Sequence, residues 1–99
     1  MPVQALTVGE YKNKLKQKSQ YVDFYIFGVG EGIAWANSMN QSKNITNLYC
    51  VPKYLALNID NYKRVIEDEL EKYPSVYKDD IDVEVVLLRG LMRTFPCDG

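Results

Sequence analysis

The sequence contains no histidine. That removes serine–histidine and cysteine–histidine nucleophile pairs, histidine acid–base chemistry and the commonest metal ligand. Long apolar runs are also missing. No stretch approaches the roughly 20 apolar residues that span a bilayer, and the opening MPVQALTVGE has no basic region followed by an apolar one. Repeats, low-complexity tracts and linker-like stretches are absent, so 99 residues are read as one domain. The net charge is only −1, and no global field draws the chain to nucleic acid or to an anionic membrane. Cysteine is limited to Cys50 and Cys97, and two thiolates without histidine do not make a zinc site.

What is present suits a small folded body: 46% hydrophobic and 25% charged residues exclude a disordered chain. A domain of this size buries only about 60–70% of its unfolded surface, so a covalent staple would help it. The charge is uneven. Residues 60–84 hold nine acids against four bases, whereas residues 1–59 carry a net +3. A solvated helix face is the ordinary reading of such an acidic run, and contact with a basic partner is the other.

Apolar periodicity predicts an all-α bundle of four to five helices. Thr7-Val8-Gly9-Glu10 has the spacing of a capping box and opens a helix running to about Lys18. A second helix, from about Tyr21 to Ser38, is apolar over much of its circumference and is expected to be the most buried. The polar stretch Asn37 to Asn47 reads as a loop. Asn58 is a plausible N-cap for a third helix bearing Ile59, Tyr62, Val65, Ile66, Leu70 and Tyr73 on one stripe, which Pro74 ends. Over residues 79–93, Ile81, Val83 and Val85 alternate like a strand. Ile81, Val85, Leu88, Met92 and Phe95 instead share a helical stripe, with Asp79 or Asp80 as cap, and helix is the expectation.

Several motifs invite a chemical reading. Gly28-Val29-Gly30-Glu31-Gly32-Ile33 lacks the last glycine of a dinucleotide loop and no Walker lysine follows; glycines one turn apart point instead to close packing of a helix, internal or from a second subunit. The acids at Glu67, Asp68, Glu69 and Glu71, and at Asp79, Asp80, Asp82 and Glu84, form neither a calcium loop nor a glycosidase pair, and read as solvated faces or partner contacts. Tyr77 lies between Pro74 and Asp80 where no helical stripe demands it, and fits either an interface anchor or a lid over the core. Asn40-Gln41-Ser42 and Asn44-Ile45-Thr46 match the loose glycosylation pattern. Each cysteine has a proline neighbour in extended backbone. Spacing alone leaves a bridge and two reduced thiols equally open.

The order of features over residues 21–97 resembles a known family. A glycine-bearing apolar helix (Phe27-Gly28-Val29-Gly30) leads to Tyr49-Cys50-Val51-Pro52, then to an amphipathic helix ending at Tyr73-Pro74, an apolar helix and a terminal Phe95-Pro96-Cys97. This is similar to the Rap/Tai-type immunity proteins of bacterial type VI secretion systems. The resemblance implies a periplasmic, all-helical protein, with its export signal absent from this sequence and Cys50 bridged to Cys97. It implies a partner too, a peptidoglycan amidase effector whose substrate groove is blocked without turnover, and homodimers are frequent in the family. The inhibitory element would be a protruding loop. Pro74, Ser75, Val76, Tyr77, Lys78, Asp79 and Asp80 are the first candidate for it, and Met39 to Asn47 the second. The expectation is therefore a protein binder, not an enzyme, with no cofactor, no metal, no nucleic acid and no membrane partner, and residues 1–6 forming an unstructured start. The alternative is a small periplasmic acid-stress chaperone with one disulfide, whose acidic segment would lose its charge at low pH.

Overall fold

A computed structural model describes residues 6–43 and 46–97, with the side chain of Gln41 left aside. Four helices run in chain order: α1 (Val8–Lys16), α2 (Gln20–Ser42), α3 (Ile59–Lys72) and α4 (Val83–Thr94), with no strand among the described residues. The all-α expectation holds, with four helices.

The helix starts follow from local sequence. Thr7 Oγ1 accepts from Glu10 N–H while Glu10 Oε1 accepts from Thr7 N–H, closing the capping box on α1. The other leading amides of α1 are met from far along the chain, Val8 N–H by Ile81 O at 2.8 Å and Gly9 N–H by Asp79 O at 3.0 Å. Lys18, with φ 55°, takes the left-handed position that closes α1: its N–H reaches Leu15 O and Ser19 N–H reaches Lys14 O. Asn58 caps α3 through Asn61 N–H, and the Asn61 side chain returns the bond to Asn58 N–H.

Four expectations need correction. First, α2 continues to Ser42, so Asn37 to Ser42 is helix. Its Asn37 side chain holds the returning chain, donating to Tyr49 O and accepting from Leu48 N–H, both at 2.8 Å. Second, α2 is not the most buried helix: its buried positions are Val22, Ile26 and Gly30, while Phe24 and Trp35 stand 77% and 72% exposed. Third, α4 starts later and faces differently. Ile81 and Asp82 lie alongside Leu6 and Thr7 in a short antiparallel contact, and the buried stripe is Val83, Val86, Leu87, Gly90 and Leu91, leaving Val85 and Met92 at the surface. Asp82 rather than Asp79 or Asp80 stands at the cap, without a side-chain hydrogen bond. Fourth, Leu6 belongs to the core and not to an unstructured start; its N–H donates to Tyr25 Oη at 2.9 Å, and Val83 N–H donates to its carbonyl. Met1 to Ala5 lie outside the described residues.

The most extensive helix pairing is α3 with α4. Gly90 permits it: a Cβ there would meet Val65 Cγ1, with Glu69 Cγ at 2.9 Å and the Val65 carbonyl at 3.2 Å. Gly30 does the same for α2 and α3, since a Cβ would lie 2.5 Å from the buried Tyr62 ring. Cys50 and Cys97 are bridged, and Cys50 N–H donates to Phe95 O at 2.8 Å. The bridge ties the segment between α2 and α3 to the end of α4.

Candidate functional site

The segment from Tyr73 to Asp82 is held from both sides. Tyr77 takes the lid position: it is 3% exposed, and its hydroxyl donates to the buried Glu69 carboxylate at 2.6 Å. Glu69 is also paired with Arg93 Nε at 2.9 Å, and the Arg93 guanidinium lies 4.4 Å from the centre of the Tyr73 ring. Burial, followed by the bond to Glu69, raises the Tyr77 pKa and keeps it a neutral donor. Of the two readings of Tyr77, the anchor exposed to a partner therefore gives way, because moving the buried phenol outward would break its bond to Glu69 and uncover the core beneath it. Glu69 likewise leaves the solvated acidic face on which Glu67, Asp68 and Glu71 remain.

Beyond Tyr77 the Asp79 carbonyl is fixed on Gly9, and Lys12 pairs loosely with the Asp79 carboxylate at 3.8 Å. What this frame presents outward is Pro74, Ser75, Val76, Lys78, Asp79 and Asp80, all exposed. The second candidate segment is divided: Met39 to Ser42 are helical, whereas Asn44 and Ile45, and with them the motif Asn44-Ile45-Thr46, lie outside the described residues.

A different surface runs along the outer side of α2. Tyr21, Phe24, Gly28, Gly32, Trp35 and Met39 recur at helical spacing and are all exposed. A Cβ at Gly28 or Gly32 would meet nothing within 4 Å among the described residues, so none of the four described helices packs there. Of the two readings of this glycine pair, packing against another of the described helices is excluded; of the three glycines in α2, Gly30 alone serves the interior among the described residues.

Under the other flank of α2, against the chain from Asn47 to Leu57, lies a cavity of about 350 Å³. Glu31 lines it, and Glu31 Oε2 accepts from the Tyr62 hydroxyl at 2.9 Å. Burial and then this bond hold Tyr62 well above the usual tyrosine range. Tyr49 is raised by burial and by the nearby Glu31 charge, and its buried hydroxyl has no partner among the described residues. Sequence reasoning named Glu31 only within the glycine run and Tyr49 only beside Cys50, and placed neither in a site. A signal existed, since Glu31 is the only charged residue between Asp23 and Lys43 in an otherwise apolar and polar-neutral helix.

No family model, curated protein or solved structure matches this chain. Among the described residues no group of three or more His, Cys, Asp or Glu is placed to hold a metal, and no helix is long and apolar enough to cross a membrane.

Proposed function

We propose that this protein is an immunity protein, a stoichiometric inhibitor that binds a peptidoglycan amidase effector of a type VI secretion system in the periplasm and covers its substrate groove without turnover. The observation that carries the reading is the Cys50–Cys97 bridge in an all-helical body, because the resemblance to the Rap/Tai-type proteins implies that pairing. Residues 74–80 suit the inhibitory role. All but Tyr77 are exposed, on a frame pinned by Tyr77 and by the Asp79 carbonyl, so ordering on binding costs little entropy.

Titration of inhibition against purified cysteine amidases tests the reading. One cognate enzyme is expected to bind with nanomolar affinity, and the combined change Val76→Glu, Asp79→Lys, Asp80→Lys to weaken it at least about 100-fold, as loss of a central contact does. Tyr77→Phe, by contrast, should cost about 1 kcal/mol of stability and leave inhibition intact. Full inhibition by the triple variant would remove the loop from the site. The exposed stripe on α2 also favours a second reading, a chaperone for acid-stressed proteins, since such a protein must present apolar surface. Suppression of client aggregation at low pH, with no amidase bound, would select it.

The same stripe is proposed as the face of a homodimer. It is symmetric in size about residue 30, with two glycines at the centre and Phe24 and Trp35, then Tyr21 and Met39, outward on either side. Two copies crossing antiparallel set the large groups of one against those of the other, as an isologous two-fold contact requires. At 23 residues, about 34 Å, α2 is long enough for a continuous contact. Sedimentation should give a dimer for the native chain and a monomer for Phe24→Glu with Trp35→Glu; equal sedimentation of the two would exclude this face.

A further inference from the structure

The turn that ends the candidate inhibitory loop is built against the first turn of α1. Lys78 to Ile81 close it, with Ile81 N–H on Lys78 O at 3.1 Å. Two carbonyls of this stretch, those of Asp79 and Ile81, accept from Gly9 and Val8 N–H at 3.0 and 2.8 Å. Just beyond, Val83 N–H returns to Leu6 O at 2.8 Å. A helix starts with four amides that its own carbonyls cannot reach. In α1 the capping box meets those of Thr7 and Glu10, and the loop meets those of Val8 and Gly9. Asp79 thereby stands at the positive end of the α1 dipole, which favours its charge.

Gly9 sets how close the helix and the turn come. Its φ is not positive, so the position does not call for a conformation that glycine alone adopts readily. What it calls for is space. A Cβ there would stand 3.0 Å from Asp79 Cβ, 3.3 Å from the Asp79 carbonyl oxygen and 3.4 Å from Asp79 Cγ. Carbon atoms pack best at roughly 3.5–4.0 Å, so one side has to give. The turn yields more readily than the helix. Lys78, Asp79 and Asp80 are exposed, whereas the buried Val8 and Tyr11 hold α1 on the core. We propose that Gly9 is a positioning residue of the inhibitory loop: lacking a side chain, it lets the first turn of α1 hold the Asp79 carbonyl and so fixes where Asp79 and Asp80 stand toward the effector. This inference rests on the immunity reading with residues 74–80 as its binding element.

The test titrates the purified cysteine amidase that the native chain inhibits with full-length Gly9→Ala and Gly9→Val, and follows thermal unfolding of each. Gly9→Ala should inhibit about 5-fold and Gly9→Val at least about 10-fold more weakly, as a preorganised loop loses part of its fit. The Tm of Gly9→Ala should stay within about 2 °C of the native value or rise, because alanine favours the helix. Asn13→Ala, on the exposed face of α1, should change neither. Rescue separates positioning from general damage. Asp79→Gly removes the Cβ and Cγ that a methyl at residue 9 would meet. Adding Gly9→Ala to Asp79→Gly should therefore weaken inhibition by less than about 2-fold. Hydrogen exchange reads the contact without an amidase: the amide of residue 9 should exchange faster in Gly9→Val than in the native chain. The proposal is overturned if Gly9→Val inhibits like the native chain, if that amide is equally protected in both, or if the loss persists in the Asp79→Gly background. A native chain that inhibits no amidase overturns the immunity reading itself, and this inference with it. Full inhibition by the Val76→Glu, Asp79→Lys, Asp80→Lys chain overturns the choice of loop, a result that the Gly9 variants do not mimic.

Discussion

Reducing the Cys50–Cys97 bridge, or replacing both cysteines with serine, is expected to destabilise this protein by about 4 kcal/mol. The bridge closes a loop of 47 positions, and the entropy it removes from the unfolded chain grows with the logarithm of that length. For a domain near 100 residues this corresponds to a fall in Tm on the order of 20 °C. The effect is large because total stabilities are only about 5–15 kcal/mol. The damage should also be local. The bridge joins the chain ahead of α3 to the end of α4, so the Asn47–Leu57 wall of the cavity beneath α2 loosens first. Denaturant unfolding with and without reductant measures the loss, and hydrogen exchange maps it. A change below about 1 kcal/mol would mean that the packing of Tyr49 and Phe95 holds this corner without the covalent link.

Four helical glycines give the second large effect, and its sign differs between them. Gly30→Ala and Gly90→Ala should each lower stability by about 1–3 kcal/mol, the cost of overpacking, even after a helix-propensity gain near 1 kcal/mol. At Gly90 a new methyl meets Val65, whose carbonyl belongs to the α3 backbone, so the two helices must part. At Gly30 it meets the ring of Tyr62, which is buried and bonded to Glu31 and has nowhere to turn. Gly28→Ala and Gly32→Ala meet nothing within 4 Å and should raise the stability of the monomer by up to about 1 kcal/mol each. Denaturant midpoints in dilute protein, where self-association contributes little, measure all four. Equal signs at Gly28 and Gly90 would contradict the packing described.

The glycines also mark where sequence reasoning stops. Gly28, Gly30 and Gly32 look alike in the chain, yet only Gly30 touches another helix. Which one packs depends on how α2 is rotated, and α2 has apolar residues on both sides, so periodicity alone does not choose the inward face. The same ambiguity displaced the stripe on α4. Val83, Val85 and Val86 are equally apolar, and the short pairing of Thr7 with Asp82 set which of them turned inward. Tyr77 was open between two roles until Glu69 and Arg93 were brought to it from two helices. The carboxylate cavity was least legible, because Glu31, Asn47, Tyr49 and Tyr62 come from three parts of the chain.

The sequence by itself determined the helical class, the start of α1 at Thr7, the start of α3 at Asn58 and its end before Pro74. Those features rest on hydrogen bonds and backbone restrictions spanning three or four residues, so the chemistry that makes them lies within one short window. The tertiary structure alone decided which faces of α2 and α4 are buried, that Glu69 leaves the acidic surface to bind Tyr77, and that the two cysteines meet. Each of those outcomes balances desolvation against contacts made by residues far apart in the chain, and no local pattern records the result.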